Sequence, residues 1–113
     1  GRLLLMFQPH GFGPLRLMKD AYIDTFAEHM RPGDVLTMPE PIYFGGTTVR
    51  SVTSADITNA IAANGRDARA FADRAKCGDA LAALARPGDR IVVMGARDDT
   101  LSEFAGEMLR RVA

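Results

Sequence analysis

A histidine stands inside the turn-forming segment Phe7-Gln8-Pro9-His10-Gly11, close to the start of the chain. Proline and glycine are sufficient to form a turn, so the imidazole of His10 needs a separate explanation. A predicted helix follows this segment, and the amino end of a helix attracts phosphates and carboxylates through its free amide hydrogens. His10 could donate a hydrogen bond to such a ligand, and Gly11 would allow its close approach to the backbone. The alternative is a histidine that only shapes the turn, and the residue types alone do not choose between the two.

Two further segments contain residues that could contact or cover a ligand. The first, PEPIYFGGTT, contains Tyr43 and the pair Gly45-Gly46. It could cover a site, dock another domain, or be an exposed loop without function. The second, GARDD, contains Asp98 just before another predicted helix. A carboxylate there interacts favourably with the helix dipole, and we expect capping to be its main role.

The sequence does not contain a complete catalytic centre. It has neither a Gly-x-x-x-x-Gly-Lys-Ser/Thr phosphate-binding loop nor a Gly-x-Ser-x-Gly nucleophile elbow, and no Cys/His cluster for zinc. A magnesium site would need more carboxylates than Asp98 and Asp99 supply. His29, the other histidine, stands among charged residues, which favours the surface or the rim of the core. We therefore assign no catalytic residue and no metal ligand to this chain.

Four apolar runs predict the strands of a parallel sheet that is covered on both faces. They are Leu3–Phe7, Val35–Met38, Ala68–Phe71 and Arg90–Met94. The third is the weakest, because Arg69 interrupts it and alanine is a poor strand former. Strands that alternate with helical segments predict a three-layer α/β/α, Rossmann-like fold with right-handed crossovers. Ligands bind at the carboxyl ends of the strands in such sheets, which is where the three segments described above would lie.

Helical spacing of apolar residues predicts four helices. The first begins near Pro14, and the second runs from Thr53 or Ser54 to Asn64-Gly65. The third spans Cys77 to Leu84 and is weakened by Gly78, and the last runs from Leu101 to Val112 behind a possible capping box of Thr100 and Glu103.

The sequence RPGD occurs twice, at 31–34 and 86–89, each time between a predicted helix and a predicted strand. Proline ends the helix, glycine supplies an unusual backbone angle, and aspartate leads into the strand. The repeat therefore indicates one helix-to-strand joint that the chain uses twice.

The composition fits a single domain, since 113 residues with 47% hydrophobic content can form one core. Fourteen basic side chains balance fourteen acidic ones, which favours neither nucleic acid nor an anionic membrane as a partner. The apolar runs are too short to span a bilayer. The single cysteine, Cys77, cannot form an internal disulfide, and we assign it to the core of a cytoplasmic protein. A chain that enters a strand almost at once, without an initiating Met, is interpreted as a fragment of a longer protein.

The segment LLLMFQPHGFGPLRLMKDAYIDTF resembles the carboxy-terminal domain of the Mur ligases, in which a strand runs into a Phe-Gln-Pro-His motif. Here the motif is Phe7-Gln8-Pro9-His10. The resemblance is closest to the UDP-N-acetylmuramate–L-alanine ligase group, and it continues through Tyr43 and Gly45-Gly46 to the closing GDRIVVMGARDD. The motif is its specific part, whereas the rest is typical of many α/β proteins.

The resemblance implies that residues 1–113 form the carboxy-terminal domain of a three-domain, ATP-dependent amide ligase of peptidoglycan biosynthesis. Its substrates would be a UDP-N-acetylmuramate precursor and an amino acid or peptide. ATP and Mg²⁺ would be bound mainly by the central domain of the same polypeptide, and the amino-terminal and central domains would be the partners of this one. We expect the isolated chain to bind neither ATP nor Mg²⁺ and to be inactive.

The resemblance also implies roles for particular residues. Those expected to bind substrate are Gln8, His10, Gly11 and Arg16. Those expected in an interdomain or ligand loop are Tyr43, Gly45, Gly46 and Asp98. His10 would face the interdomain cleft and position the amino acid or the reacting groups. The alanine-adding ligases carry arginines where this chain has Gly11 and Pro14, and Arg16 is the candidate replacement.

Two other functions stay open at this point. One is a stand-alone flavodoxin-like module that binds a small anion or nucleotide at the same strand ends. The other is a folate-polyglutamating relative of the same superfamily. A phosphate-binding loop upstream in the parent gene would favour the ligase, whereas tight ATP binding by the isolated chain would favour the module.

Overall fold

A computed structural model describes residues 1–9, 12–40, 53–95 and 100–112, with residues 12–17 described by their backbone alone. The elements alternate along the chain as β1 (Leu3–Gln8), α1 (Phe12–His29), β2 (Val35–Pro39), α2 (Ser54–Ala63), β3 (Asp67–Phe71), α3 (Arg74–Leu84), β4 (Arg90–Gly95) and α4 (Thr100–Val112). Each lies within a few residues of its predicted position. The predicted α/β fold is therefore confirmed.

The four strands form one parallel sheet in the order β3-β2-β1-β4. β1 lies in the interior of the sheet, with Leu4 opposite Val35 of β2 on one side and opposite Ile91 of β4 on the other. The chain moves outward from β1 through β2 to β3 and then returns to add β4 on the other side of β1. The direction of winding therefore reverses between β1 and β4.

Alternate residues of β1 face opposite layers, which is the geometry of a strand buried on both sides. Leu5 packs with α1 and α2 in a core cluster that also contains Met30, Leu36, Met38, Ile57 and Ile61. Leu4 and Met6 pack with α3 and α4 in a second cluster that also contains Val35, Cys77, Leu81, Leu101 and Met108. The helices thus form two layers around the sheet, as predicted.

The two outer strands are less buried than the sequence predicts. β3 and β4 contain no fully buried residue, and the side chain of Val92 in β4 is 36% exposed. In β3, Arg69 lies on the exposed edge and pairs with Asp67 at 2.9 Å. A charged pair on an edge strand also discourages pairing with another chain. The interruption by Arg69 is therefore explained by the edge position of β3.

Both RPGD joints have the predicted backbone. Gly33 and Gly88 adopt φ values of +94° and +93°, which a residue with a side chain rarely adopts. Their aspartates do more than lead into a strand. Asp34 accepts a hydrogen bond from the amide of Arg31 at 2.9 Å, and Asp89 accepts the equivalent bond from Arg86 at 3.0 Å. Each aspartate therefore closes its own turn.

The helix ends show how local sequence fixes the boundaries. α2 begins after Thr53, whose side chain caps the helix, and Asp56 completes a capping box by accepting from the amide of Thr53 at 2.9 Å. It ends at Asn64-Gly65, where Gly65 has a φ of +85°. Both boundaries were predicted. α4 begins at Thr100 itself, and because the residue before it lies outside the described part of the chain, the capping box of Thr100 and Glu103 stays a prediction.

Candidate functional site

The strand order places a candidate site at the carboxyl ends of β1 and β4. These strands flank the point where the winding of the sheet reverses, and ligands of open α/β sheets bind in the crevice outside such a point. The last residues of the two strands, Gln8 and Gly95, are opposite one another in the parallel register. The two strands therefore end side by side, and the segments 9–11 and 96–99 follow them along the chain. Both contain residues that the sequence analysis selected.

Gln8 is the one predicted substrate-binding residue whose side chain the structure describes. It ends β1 and is only 3% exposed, and its Nε2 donates a weak hydrogen bond of 3.4 Å to the carbonyl of Pro9. A buried amide that bonds the next residue stabilises the chain where it leaves the strand. Gln8 thus supports the backbone immediately before His10.

The other predicted site residues are not described at side-chain level. Arg16 lies in the amino-terminal part of α1, of which only the backbone is described. The remaining six lie outside the described residues: His10, Gly11, Tyr43, Gly45, Gly46 and Asp98. Along the chain they follow the carboxyl ends of β1, β2 and β4. Their assignment to the candidate site therefore rests on connectivity and stays a prediction.

Gly95 makes close contacts that its local sequence does not predict. A Cβ atom at this position would lie 2.7 Å from Cδ1 of Leu101 and 3.1 Å from both Cβ and the carbonyl oxygen of Gln8. Real Cβ atoms do not approach a neighbour as closely as the first of these distances. The glycine therefore allows the end of β4 to contact β1 and α4 closely. Its position as the first residue of GARDD, directly after an apolar run, was the available signal.

Glu40 joins three elements at the same edge of the sheet. Its amide donates to the carbonyl of Phe71 at the end of β3, at 3.1 Å. Its carboxylate accepts from the amide of Ser54, the first residue of α2, at 3.0 Å. The hydroxyl of Ser54 in turn donates to the carbonyl of Pro39 at 2.7 Å. The sequence showed Glu40 only as part of a loop, whereas these contacts make it a support of the sheet edge.

Two of the helices that start at this edge already satisfy amides at their amino ends. Thr53 caps α2 by accepting from the amide of Asp56, and Asp73 caps α3 by accepting from the amide of Lys76 at 2.9 Å. α1 and α4 are the helices that follow β1 and β4. The strand order, whose direction reverses between β1 and β4, points to that side of the edge as the place for a ligand.

Cys77 and His29 lie where the sequence predicts. The Cys77 side chain is fully buried, and this burial raises the pKa of its thiol to about 11. A hydrogen bond with Thr37 lowers the pKa, but its effect is smaller than that of burial. A thiol that stays protonated at neutral pH is a poor nucleophile. His29 is exposed at the last turn of α1, at the opposite edge of the sheet from the candidate site.

The described part of the chain offers no donor set that fits a nucleotide with its magnesium ion. Within residues 1–9, 12–40, 53–95 and 100–112, no three His, Cys, Asp or Glu side chains are grouped so that they could hold a metal ion. The complete sequence also lacks a phosphate-binding loop. We therefore assign no step with ATP or magnesium to these residues. None of the described helices is both long and apolar enough to cross a membrane.

Residues 1–97 match the family described as Mur ligase, glutamate ligase domain, and the chain belongs to this family. A parallel sheet with helices on both faces agrees with that membership. The resemblance inferred from Phe7-Gln8-Pro9-His10 is thus confirmed. A stand-alone flavodoxin-like module is not favoured.

Three curated relatives show how far the similarity extends. The chain is 32% identical over 98 residues to a protein of Sorangium cellulosum, 32% over 102 residues to one of Agrobacterium fabrum, and 32% over 117 residues to one of Cereibacter sphaeroides. All three are named UDP-N-acetylmuramate–L-alanine ligase. The alignments cover 86%, 88% and 99% of this chain but 20%, 21% and 23% of the relatives. The chain therefore spans about a fifth of the length of these relatives.

Proposed function

We propose that this chain is the carboxy-terminal domain of an ATP-dependent amide ligase that adds an amino acid or peptide to a UDP-N-acetylmuramate precursor of peptidoglycan. The observation that carries the proposal is the family match over residues 1–97, together with the shared name of the curated relatives. In this proposal the domain presents the incoming substrate. The nucleotide and magnesium are bound by the central domain of the same polypeptide.

In this proposal, the substrate contacts come from the segments that follow β1 and β4 along the chain. His10, Gly11 and Arg16 follow β1, and the buried Gln8 fixes the point from which they depart. Asp98 follows β4, whose end is held against β1 at Gly95. Tyr43 and its neighbouring Gly45 and Gly46 would form the interdomain or ligand loop after β2. The support for this arrangement is the strand order, whose direction reverses between β1 and β4.

The role proposed for His10 is positioning. An imidazole that holds the amino acid or the reacting groups in line lowers the barrier by restricting their motion, and it needs no partner nucleophile in this chain. The amino end of α1 would supply further attraction for a carboxylate or phosphate. This combination accounts for a histidine in a segment where proline and glycine alone would form the turn.

The test is His10→Ala in the full-length ligase, with amide-bond formation as the measured reaction. We expect ligation to fall by about tenfold or more, as is usual when a positioning group is lost. His29→Ala is the matched control, because the other histidine is exposed at the opposite edge of the sheet. Unchanged turnover in His10→Ala would remove His10 from the site. Ligation of a substrate other than a UDP-N-acetylmuramate precursor would contradict the proposed function itself.

A further inference from the structure

We draw no further inference here: the strongest candidate, the apolar groove between the amino end of β4 and the carboxyl-terminal half of α4, carries nothing because no contact in the described part of the chain shows what covers it.

Discussion

The carboxylates of Asp34 and Asp89 accept hydrogen bonds from consecutive amides at the entry to β1. Oδ1 of Asp34 accepts from the amide of Leu3 at 2.9 Å, and Oδ1 of Asp89 accepts from the amide of Arg2 at 3.1 Å. Successive amides of a strand point in opposite directions, so the two aspartates reach β1 from its two neighbouring strands. The two RPGD joints thus hold the start of the interior strand from both sides.

Replacing Asp34 tests the energetic importance of this arrangement. Asp34→Ala removes a buried carboxylate and leaves the amides of Leu3 and Arg31 without their acceptor. We expect the free energy of unfolding to fall by about 1.5–3 kcal/mol, the usual range for hydrogen bonds to a charged group. Urea denaturation measures it. Asp24→Ala, at an exposed position of α1, is the control and should stay within about 0.5 kcal/mol of the parent protein. Equal effects of the two variants would contradict this role of Asp34.

Protonation of Asp34 and Asp89 at low pH should weaken the hydrogen bonds of the two RPGD joints and lower the free energy of unfolding. Burial raises the pKa of Asp34, but the hydrogen bonds from Leu3 and Arg31 and the charge of Arg31 outweigh it, so the pKa is lower in the folded state. The pKa of Asp89 is held well below its usual range, mainly by the hydrogen bond from the Arg2 side chain. Burial opposes this shift, whereas the hydrogen bonds from the amides of Arg2 and Arg86 add to it.

A carboxyl group whose pKa is lower when folded stabilises the protein fully above its unfolded pKa of about 3.9 and loses that effect as the pH falls toward the folded value. The free energy of unfolding should therefore decrease below about pH 4, as measured by urea titrations at a series of pH values. The double variant Asp34→Asn, Asp89→Asn should show a shallower decrease. An unchanged slope in that variant would exclude these two groups as its cause.

Gly95→Ala should destabilise the end of β4. The new methyl group would meet Leu101, which can shift, and the carbonyl oxygen of Gln8, which is part of the sheet. We expect a loss of about 1–3 kcal/mol in the free energy of unfolding, as for other overpacked sites. Gly106→Ala in α4 is the matched control, because its Cβ would meet only the end of Arg110 at 3.7 Å. That variant should gain about 0.5–1 kcal/mol. If Gly95→Ala were as stable as Gly106→Ala, the predicted loss would be wrong. The contacts with Leu101 and Gln8 would then have relaxed at little cost in free energy.

The thiol of Cys77 should be unreactive in the folded protein. It is fully buried, and a pKa of about 11 leaves very little thiolate at pH 8. A chromogenic disulfide reagent should label the protein slowly in buffer and rapidly in concentrated urea, which exposes the same thiol. Labelling at equal rates under the two conditions would contradict the assignment of Cys77 to the core.

Much of the fold follows from local patterns. The four apolar runs predicted the strands to within about one residue at each end, because an apolar run marks burial whereas pairing with a neighbour decides the last residue. Pairing is also why the order β3-β2-β1-β4 was not predicted: it depends on contacts such as that between Leu4 and Ile91, which are far apart in sequence. From the sequence, Arg69 interrupts an apolar run that predicts a buried strand. The strand order shows that this strand, β3, lies at the edge of the sheet, where a charged side chain can reach solvent.

The site residues selected from the sequence stay predictions, but the strand ends that they follow can be compared with the structure. The sequence selected the segments after β1, β2 and β4, and the structure shows that β1 and β4 end side by side. Gly95 and Glu40 were missed, because their contacts with Gln8 and Ser54 join elements that are remote along the chain. The RPGD repeat was correctly predicted to be a joint. The bonds from its aspartates to β1 have no local sequence signal, since Asp89 and Arg2 lie near opposite ends of the chain.

Because β1 lies in the interior of the sheet, the sheet cannot be completed on the ribosome until β4 has been synthesised. β1 is made first among these strands, yet one of its edges acquires its partner only after residues 90–95 have emerged. Until then its apolar residues lie beside unpaired amides and carbonyls, a state that favours association with other nascent chains. The closing of this sheet is therefore a late, long-range event, and slow translation through α3 would prolong the exposure.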